Sequence, residues 1–186
     1  MDLAFSPEQD ELVRTLRQFA RRELAPRSAH WDRTGEFPWE AWRRMGELGL
    51  LGLRVPEAYG GQDADFLTFG IAMEEIGRGD FSCTYGIHHA GLAGEILGRS
   101  GSEAIKTRWL PPTASGEAVV ALALTEPGAG SDAANLACRA ERDGDGYAIT
   151  GEKSGISLGM AAQAAIVSSR DCSATPRHAS AMPIRL

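Results

Sequence analysis

The chain has 186 residues, is 43% hydrophobic and carries a formal net charge of −6. That length allows one sizeable core, or one complete domain and part of another. The mean hydropathy of −0.21 and the lack of any apolar run near the roughly 20 residues of a membrane span argue against a membrane protein. The acidic balance gives no reason to expect nucleic acid.

The N-terminal residues, Met1 to Glu8, have no basic n-region and no Arg-rich amphipathic start, so no signal or transit peptide is expected. Cys83, Cys138 and Cys172 lie far apart without metal spacing. Reduced thiols in a cytoplasmic protein are the expectation.

Ser6-Pro7-Glu8-Gln9 predicts a helix start: Ser6 can cap, Pro7 suits the first helical position, and Gln9 completes a capping box. Leu12, Val13, Leu16, Phe19, Ala20 and Leu24 follow at helical spacing, and Pro26 is expected to end the run. A second helix is predicted from Pro38 through Trp39, Trp42 and Met45, closing near Gly49. Residues 55–61, VPEAYGG, read as a loop.

Asp65 is the expected cap of a third helix carrying Phe66, Phe69, Met73 and Ile76, stopped by Gly77 and Gly79. A fourth segment, about Phe81 to Leu97, is rich in small residues and predicted to be buried. A short fifth helix is predicted from Ser102 to Trp109, with Pro111-Pro112 as its stop.

After Gly116 the pattern changes. Residues 118–124 form an apolar β run. Residues 135–142, the turn Asp143-Gly144-Asp145-Gly146 and residues 147–150 read as strand, turn and strand. Residues 164–169 and 179–186 are further candidate strands. The fold class expected is α+β: an all-α helical domain over 1–116, then an incomplete antiparallel β-barrel or sandwich domain over 117–186.

Residues 124–132, LTEPGAGSD, are the most informative stretch. Hydroxyls stand there beside glycines whose bare backbone can approach a flat or phosphorylated ligand. Gly128-Ala129-Gly130-Ser131-Asp132-Ala133 formally fits a dinucleotide fingerprint. That reading needs a helix straight after the glycines, whereas the sequence offers a turn at 143–146 where the helix would end. A plain structural turn between strands needs no ligand, and on composition alone it would be the simpler reading.

The order of residues adds a third reading. Leu124 to Asp132 resembles the flavin-binding signature of the acyl-CoA dehydrogenases. The stretch Val55 to Gly61, then Glu74-Glu75-Ile76-Gly77, Gly146-Tyr147 and Gly151-Glu152-Lys153 resemble further segments of that family, in the right order and over nearly the whole chain.

The resemblance implies an oxidoreductase, a flavoprotein of fatty acid metabolism, that takes a proton from Cα and a hydride from Cβ of an acyl-CoA or acyl-carrier-protein thioester. FAD would accept the hydride. Carried over by motif, Leu122, Ala123, Leu124, Thr125, Gly130 and Ser131 would line the flavin, with backbone N–H groups of Leu124 and Thr125 reaching its pyrimidine ring. Ser131 would also sit between cofactor and thioester ligand, bonding the ligand's pantetheine side or the pyrophosphate. Glu126 is expected to support the turn.

Gly155, Ile156 and Ser157 would form the second part of the flavin site. Ser157 keeps the hydroxyl expected near N5, while Gly155 stands where the family usually has an aromatic ring. That change could widen the pocket, weaken flavin binding or mark a subgroup that fills the gap otherwise.

No catalytic residue and no metal site is assigned. The resemblance places the catalytic glutamate in a C-terminal half that this sequence lacks, so a homo-oligomer or a complementing C-terminal polypeptide is expected, with an electron acceptor such as electron-transfer flavoprotein. The alternatives are a non-catalytic remnant or partner-binding subunit, or a related acyl-CoA oxidase or flavin monooxygenase.

Other residues draw plainer expectations. His88-His89 point in different directions on a helix and make no metal pair. Trp31, Trp39, Trp42 and Trp109 are expected in the helical layer, and Glu74-Glu75 on a solvated face. Tyr85 and Ile87 could line an acyl pocket or pack in the core. The segment from Arg177 to Leu186 matches the family's next strand loosely, and Pro183 there suits an edge position.

Overall fold

A computed structural model describes residues 4–144, 146–170 and the backbone of 181–183. Its elements are α1 (Pro7–Phe19), α2 (Ala25–Thr34), α3 (Trp39–Glu47), α4 (Phe66–Gly77), α5 (Phe81–Ser100), α6 (Glu103–Ser115), β1 (Val120–Ala123), β2 (Arg139–Asp143), β3 (Gly146–Thr150), β4 (Ala164–Val167) and β5 (Ala181–Pro183). A helical layer is thus followed by a small β region, as the α+β expectation has it.

The helix starts follow from their caps. Ser6 accepts from the Gln9 amide at 3.2 Å while the Gln9 side chain accepts from the Ser6 amide at 3.0 Å, which closes the box. Asp65 accepts from Thr68 N at 2.6 Å and opens α4. Asp80, which the sequence reading did not single out, accepts from Cys83 N at 2.7 Å and opens α5.

Two proline expectations are corrected. Pro26 does not end the first helical run. A π-helical turn over Ala20–Leu24 separates α1 from α2, and Pro26 sits in the first turn of α2, where a missing N–H costs nothing. Pro111 and Pro112 lie inside α6, which runs on to Ser115. The helix tolerates them because its last turn finds other partners. The Thr113 hydroxyl donates to the Trp109 carbonyl at 2.7 Å, and Ala118 N donates to the Pro112 carbonyl at 2.9 Å. The stop is instead Gly116, at a left-handed φ of 81°.

One core joins α1, α3, α4 and α5 through Leu16, Phe19, Trp42, Met45, Ile76 and Ile87. A second lies between α5, α6, β1 and β4, with Leu97, Trp109, Leu110, Val120 and Ile166. Close backbone approach fixes how α3 sits on α6: a Cβ added at Gly46 would lie 2.1 Å from the Ser115 carbonyl oxygen. The small-residue run of α5 is buried as expected, with Gly86, Ala90, Gly91, Ala93 and Gly94 all on its inner side.

The expectation that Glu74 and Glu75 share a solvated face is overturned for Glu75. Glu75 is 3% exposed, and its carboxylate accepts from Arg17 Nε at 2.8 Å and Nη2 at 2.7 Å. This two-pronged pair joins α4 to α1, and the Arg17 hydrogen bonds hold the Glu75 carboxyl below its ordinary pKa. A carboxylate one position from an exposed one carries no sequence mark of this; the facing arginine lies 58 residues away.

In the β region, β2 and β3 pair antiparallel across the turn at Asp143 and Gly146, as the hairpin reading expects. The start of that strand is corrected: Asn135 belongs to a short 3-10 turn, Ala133–Asn135. The other sheet has the order β1-β4-β5. There β4 and β5 are antiparallel while β1 and β4 are parallel, Leu122 opposite Ile166, so the expectation of an antiparallel region holds for two of the three pairings. Parallel pairing follows from the long connection over 124–163, which returns to the same end of β1. Pro183 lies in β5, at the end of the strand order. Cys172, Arg177, His178 and Leu186 lie outside the described residues.

Candidate functional site

The turn after β1 is tightly closed. Glu126 N donates to the Ala129 carbonyl at 2.8 Å, and Ala129 N donates back to the Glu126 carbonyl at 3.2 Å. Among the described residues no α-helix follows; Ala133–Asn135 is one 3-10 turn, and the hairpin comes next. The dinucleotide-fingerprint reading therefore lacks the helix it requires.

The Glu126 side chain turns inward. It is 6% exposed and accepts from Ala137 N at 2.6 Å, Cys138 N at 2.9 Å and Lys153 Nζ at 2.8 Å. These donors, Lys153 first, outweigh the cost of burial and hold its pKa at about 2. Glu126 stays ionised at neutral pH and is spent on structure, as the sequence reading expects.

Lys153 also donates to the Leu124 carbonyl at 2.9 Å. Ser154 N donates to the Thr125 carbonyl at 3.0 Å. The two motifs, some 27 residues apart, are thereby laced together. Ile156 packs against the alanine cluster Ala121, Ala123 and Ala165 behind β1.

The structure places the sequence-predicted site residues on either side of this lacing, with different exposures. Leu122 and Leu124 are half-buried, Ala123 is buried, and Thr125, Gly130 and Ser131 are exposed. Gly130 lies beside Thr125: a Cβ added to it would meet only Thr125 Cγ2, at 3.9 Å. Gly155 is exposed, and Ile156 and Ser157 are half-buried. Hydrogen bonds bring Leu124 and Thr125 to the segment at 153–154. They give Ser131 no tie to the 155–157 loop.

Gly155 has a φ of 62°, and a Cβ there would meet nothing within 4 Å. Among the described residues nothing fills the space beside it, so the gap is open. The left-handed φ favours glycine at this position. Leu158 also has a left-handed φ, 61°, and packs against the helical core. This strained residue anchors the loop that carries Gly155 to Ser157.

The donor geometry fits a flat cofactor with an acceptor-rich edge. Every peptide bond described is trans, so carbonyl and N–H of one peptide point opposite ways. The Ala123 carbonyl accepts from Ser168 N at 3.1 Å, which turns the Leu124 N–H away from β4. The Leu124 carbonyl faces Lys153, which turns the Thr125 N–H away from Lys153. Gly128, with nothing within 4 Å of an added Cβ, leaves the backbone approachable.

A large open groove of about 1080 Å³ lies on the other side of the 156–161 loop, between it and the helical layer, with Trp31, Trp39, Met45, Phe81 and Met160 in its walls. It touches the site only through Ile156; no residue of 122–131 lines it.

On α5, the His89 ring is buried against the Tyr85 carbonyl at 2.9 Å, and burial lowers its pKa. Among the described residues no group of three metal-ligating side chains forms. Tyr85 is exposed and Ile87 fully buried, so Ile87 is core. Sequence reading missed the part played by Lys153, which it quoted as a motif residue without a role. The only available signal was an acid and a base in two separate motifs, and no spacing rule joins them.

Helical layer, crossover into a small sheet and a laced glycine turn together define the class: an α+β fold with a helical region ahead of a small β region. Comparison with known proteins gives the family. Residues 6–117 match the family described as "Acyl-CoA dehydrogenase, N-terminal domain", and residues 121–184 match "Acyl-CoA dehydrogenase, middle domain". The chain belongs to the acyl-CoA dehydrogenase family.

It is 40% identical over 172 residues to a probable acyl-CoA dehydrogenase, YngJ, of Bacillus subtilis, covering 90% of this chain and 44% of that protein. It is 40% identical over 169 residues to the mitochondrial isovaleryl-CoA dehydrogenase of Solanum tuberosum, covering 89% and 41%. Among solved structures, a glutaryl-coenzyme A dehydrogenase in complex with glutaryl-CoA matches with a TM-score of 0.88 at 35% identity, over 99% of this chain and 48% of that one. A Mycobacterium smegmatis glutaryl-CoA dehydrogenase in complex with FADH2 matches with a TM-score of 0.84 at 31% identity, over 89% and 43%. The chain spans less than half the length of these relatives. Among the described residues no helix is long and apolar enough to cross a membrane.

Proposed function

We propose that this chain supplies the flavin-holding part of an FAD-dependent enzyme that dehydrogenates an acyl thioester between Cα and Cβ. The observation that carries the reading is the lacing of Leu124 and Thr125 to Lys153 and Ser154. It presents the Leu124 and Thr125 amides, the Thr125 hydroxyl and a bare glycine backbone together. Relatives described with FADH2 and with glutaryl-CoA support the same chemistry.

In this reading the chain divides into a helical domain, residues 1–116, and an incomplete β domain, 117–186. Bound FAD supplies the hydride acceptor. Ala123 and Ile156, which share one apolar cluster, give the ring system an apolar seat, and Leu122 backs it from the opposite face of β1. The Leu124 and Thr125 amides and the Thr125 hydroxyl hold its polar edge. Gly130 lets the backbone come close, Ser131 binds the thioester ligand or the cofactor's phosphates, and Ser157 offers its hydroxyl on the far side.

Gly155 leaves one side of the site open. Glu126, ionised and fully engaged, is not the base; the remainder of the fold supplies that group, in a cytoplasmic oligomer or a complementing polypeptide, with an electron-transfer flavoprotein as acceptor.

The test is titration of the purified chain with FAD, followed by flavin absorbance and fluorescence after gel filtration. Retained yellow flavin supports the reading, and Thr125→Val with Ser157→Ala then weakens retention. Colourless protein at saturating FAD overturns it for this chain.

A further inference from the structure

The part-buried Lys153 ammonium makes two contacts: the Glu126 carboxylate at 2.8 Å and the Leu124 carbonyl at 2.9 Å. Lys153 is 12% and Glu126 5% exposed at the side chain. A buried ion pair is an expensive way to gain stability, because desolvation offsets much of the attraction. This one holds a single peptide. The Leu124 carbonyl and the Thr125 N–H belong to the same trans peptide unit, so the atom that Lys153 grips fixes the direction of the donor on the opposite side.

We propose that Lys153 is a positioning residue, acting through the Leu124–Thr125 peptide, and that Glu126 holds Lys153 in place. The inference rests on the flavin reading of the site. Four further bonds close the frame around that peptide. Glu126 reaches the Ala137 and Cys138 amides, Ser154 N holds the Thr125 carbonyl, and Ser168 N holds the Ala123 carbonyl. Each peptide from 123 to 125 thus has its carbonyl tied on the protein side.

A positive charge on the Leu124 carbonyl polarises the peptide and strengthens the Thr125 N–H as a donor. The gain is largest for a partner whose facing edge carries negative charge, so reduced flavin benefits more than oxidised flavin. Lys153 therefore tunes the ratio of the two affinities and does more than hold the loop.

The experiment compares wild type, Lys153→Met and Lys153→Gln. The glutamine keeps a donor and loses the charge. Circular dichroism confirms that each variant is folded, and the glutamine variant stands in if the methionine variant is not. Amide exchange of the flavin-free chain is read at Cys138 and Ser154, with Ala148 in the hairpin as control. Exchange at Cys138 and Ser154 is expected to speed about tenfold or more in Lys153→Met, less in Lys153→Gln, and to stay unchanged at Ala148.

With FAD added, affinity for reduced flavin is expected to fall about tenfold more than affinity for oxidised flavin, a shift of about 30 mV in the two-electron potential. Unchanged exchange in a folded variant overturns the clamp. Equal loss of both affinities reduces Lys153 to a structural residue and overturns the positioning role. Failure of the wild type to bind FAD sinks the flavin reading alone, and the exchange data still decide the clamp.

Discussion

The indole Nε1 of Trp42 donates to the carbonyl of Gly116 at 2.9 Å. One buried side chain of α3 thereby fixes the point at which the chain leaves the helical layer for β1. Gly116 is held in its left-handed conformation by the same contact, with the Trp42 carbonyl and Leu51 within 3.1–3.3 Å of where a Cβ would stand.

Trp42→Phe removes that donor and leaves a buried carbonyl unpaired, along with a gap where the distal six-membered ring of the indole was. The expected cost is about 2–4 kcal/mol. Urea unfolding followed by far-ultraviolet circular dichroism measures it. A loss below about 0.5 kcal/mol would show that water replaces the indole at no cost.

Two glycines separate fold from site. A Cβ at Gly46 would lie 2.1 Å from the Ser115 carbonyl oxygen, while one at Gly128 would meet nothing within 4 Å. Gly46→Ala must push α3 off α6 and is expected to cost about 2–4 kcal/mol. Gly128→Ala is expected to change stability by no more than about 0.5 kcal/mol. If a flat ligand lies against the turn, Gly128→Ala lowers FAD retention at unchanged melting temperature. Unchanged retention would place the cofactor away from Gly128.

The Glu126 carboxyl is held at about 2, below its ordinary value of 4.5. A depressed folded-state pKa stabilises the fold above the unfolded pKa, and that stability is lost as pH falls through the folded one. The wild type therefore loses the Glu126 contribution between about pH 4.5 and about pH 2. In Glu126→Gln that contribution is absent throughout. The difference in melting temperature between the two should be greatest above pH 5 and shrink toward pH 2. A constant difference would mean that the carboxylate's donors are as strong in the unfolded chain.

Two aspartate caps differ in burial. Asp80 is 6% exposed and Asp65 is exposed, yet both accept from the amide three residues on, at 2.7 and 2.6 Å. Asp80→Ala is expected to cost about 2 kcal/mol and Asp65→Ala about 1 kcal/mol, since water can reach only the second site after truncation. Equal costs in denaturant titrations would show that the start of α5 is open to solvent in the variant.

The segments proposed for the site, residues 122–131 and 155–157, are legible as motifs because a turn of this kind needs particular residues in a contiguous order. The division of labour among them is not. Glu126 and Lys153 meet only after the chain has passed through the hairpin and returned beside β1. The open space at Gly155 is likewise a property of what surrounds it.

Local order and composition by themselves determined the helix starts at Ser6 and Asp65, the hairpin at 143–146 and the glycine turn after β1, since caps and turns are chemistry between near neighbours. Tertiary structure alone decided that Glu75 is buried against Arg17, that prolines sit within helical runs, that β1 and β4 run parallel, and that Lys153 grips the Leu124 carbonyl. Each of these depends on groups far apart in sequence, whose burial and partners exist only once the layers have packed.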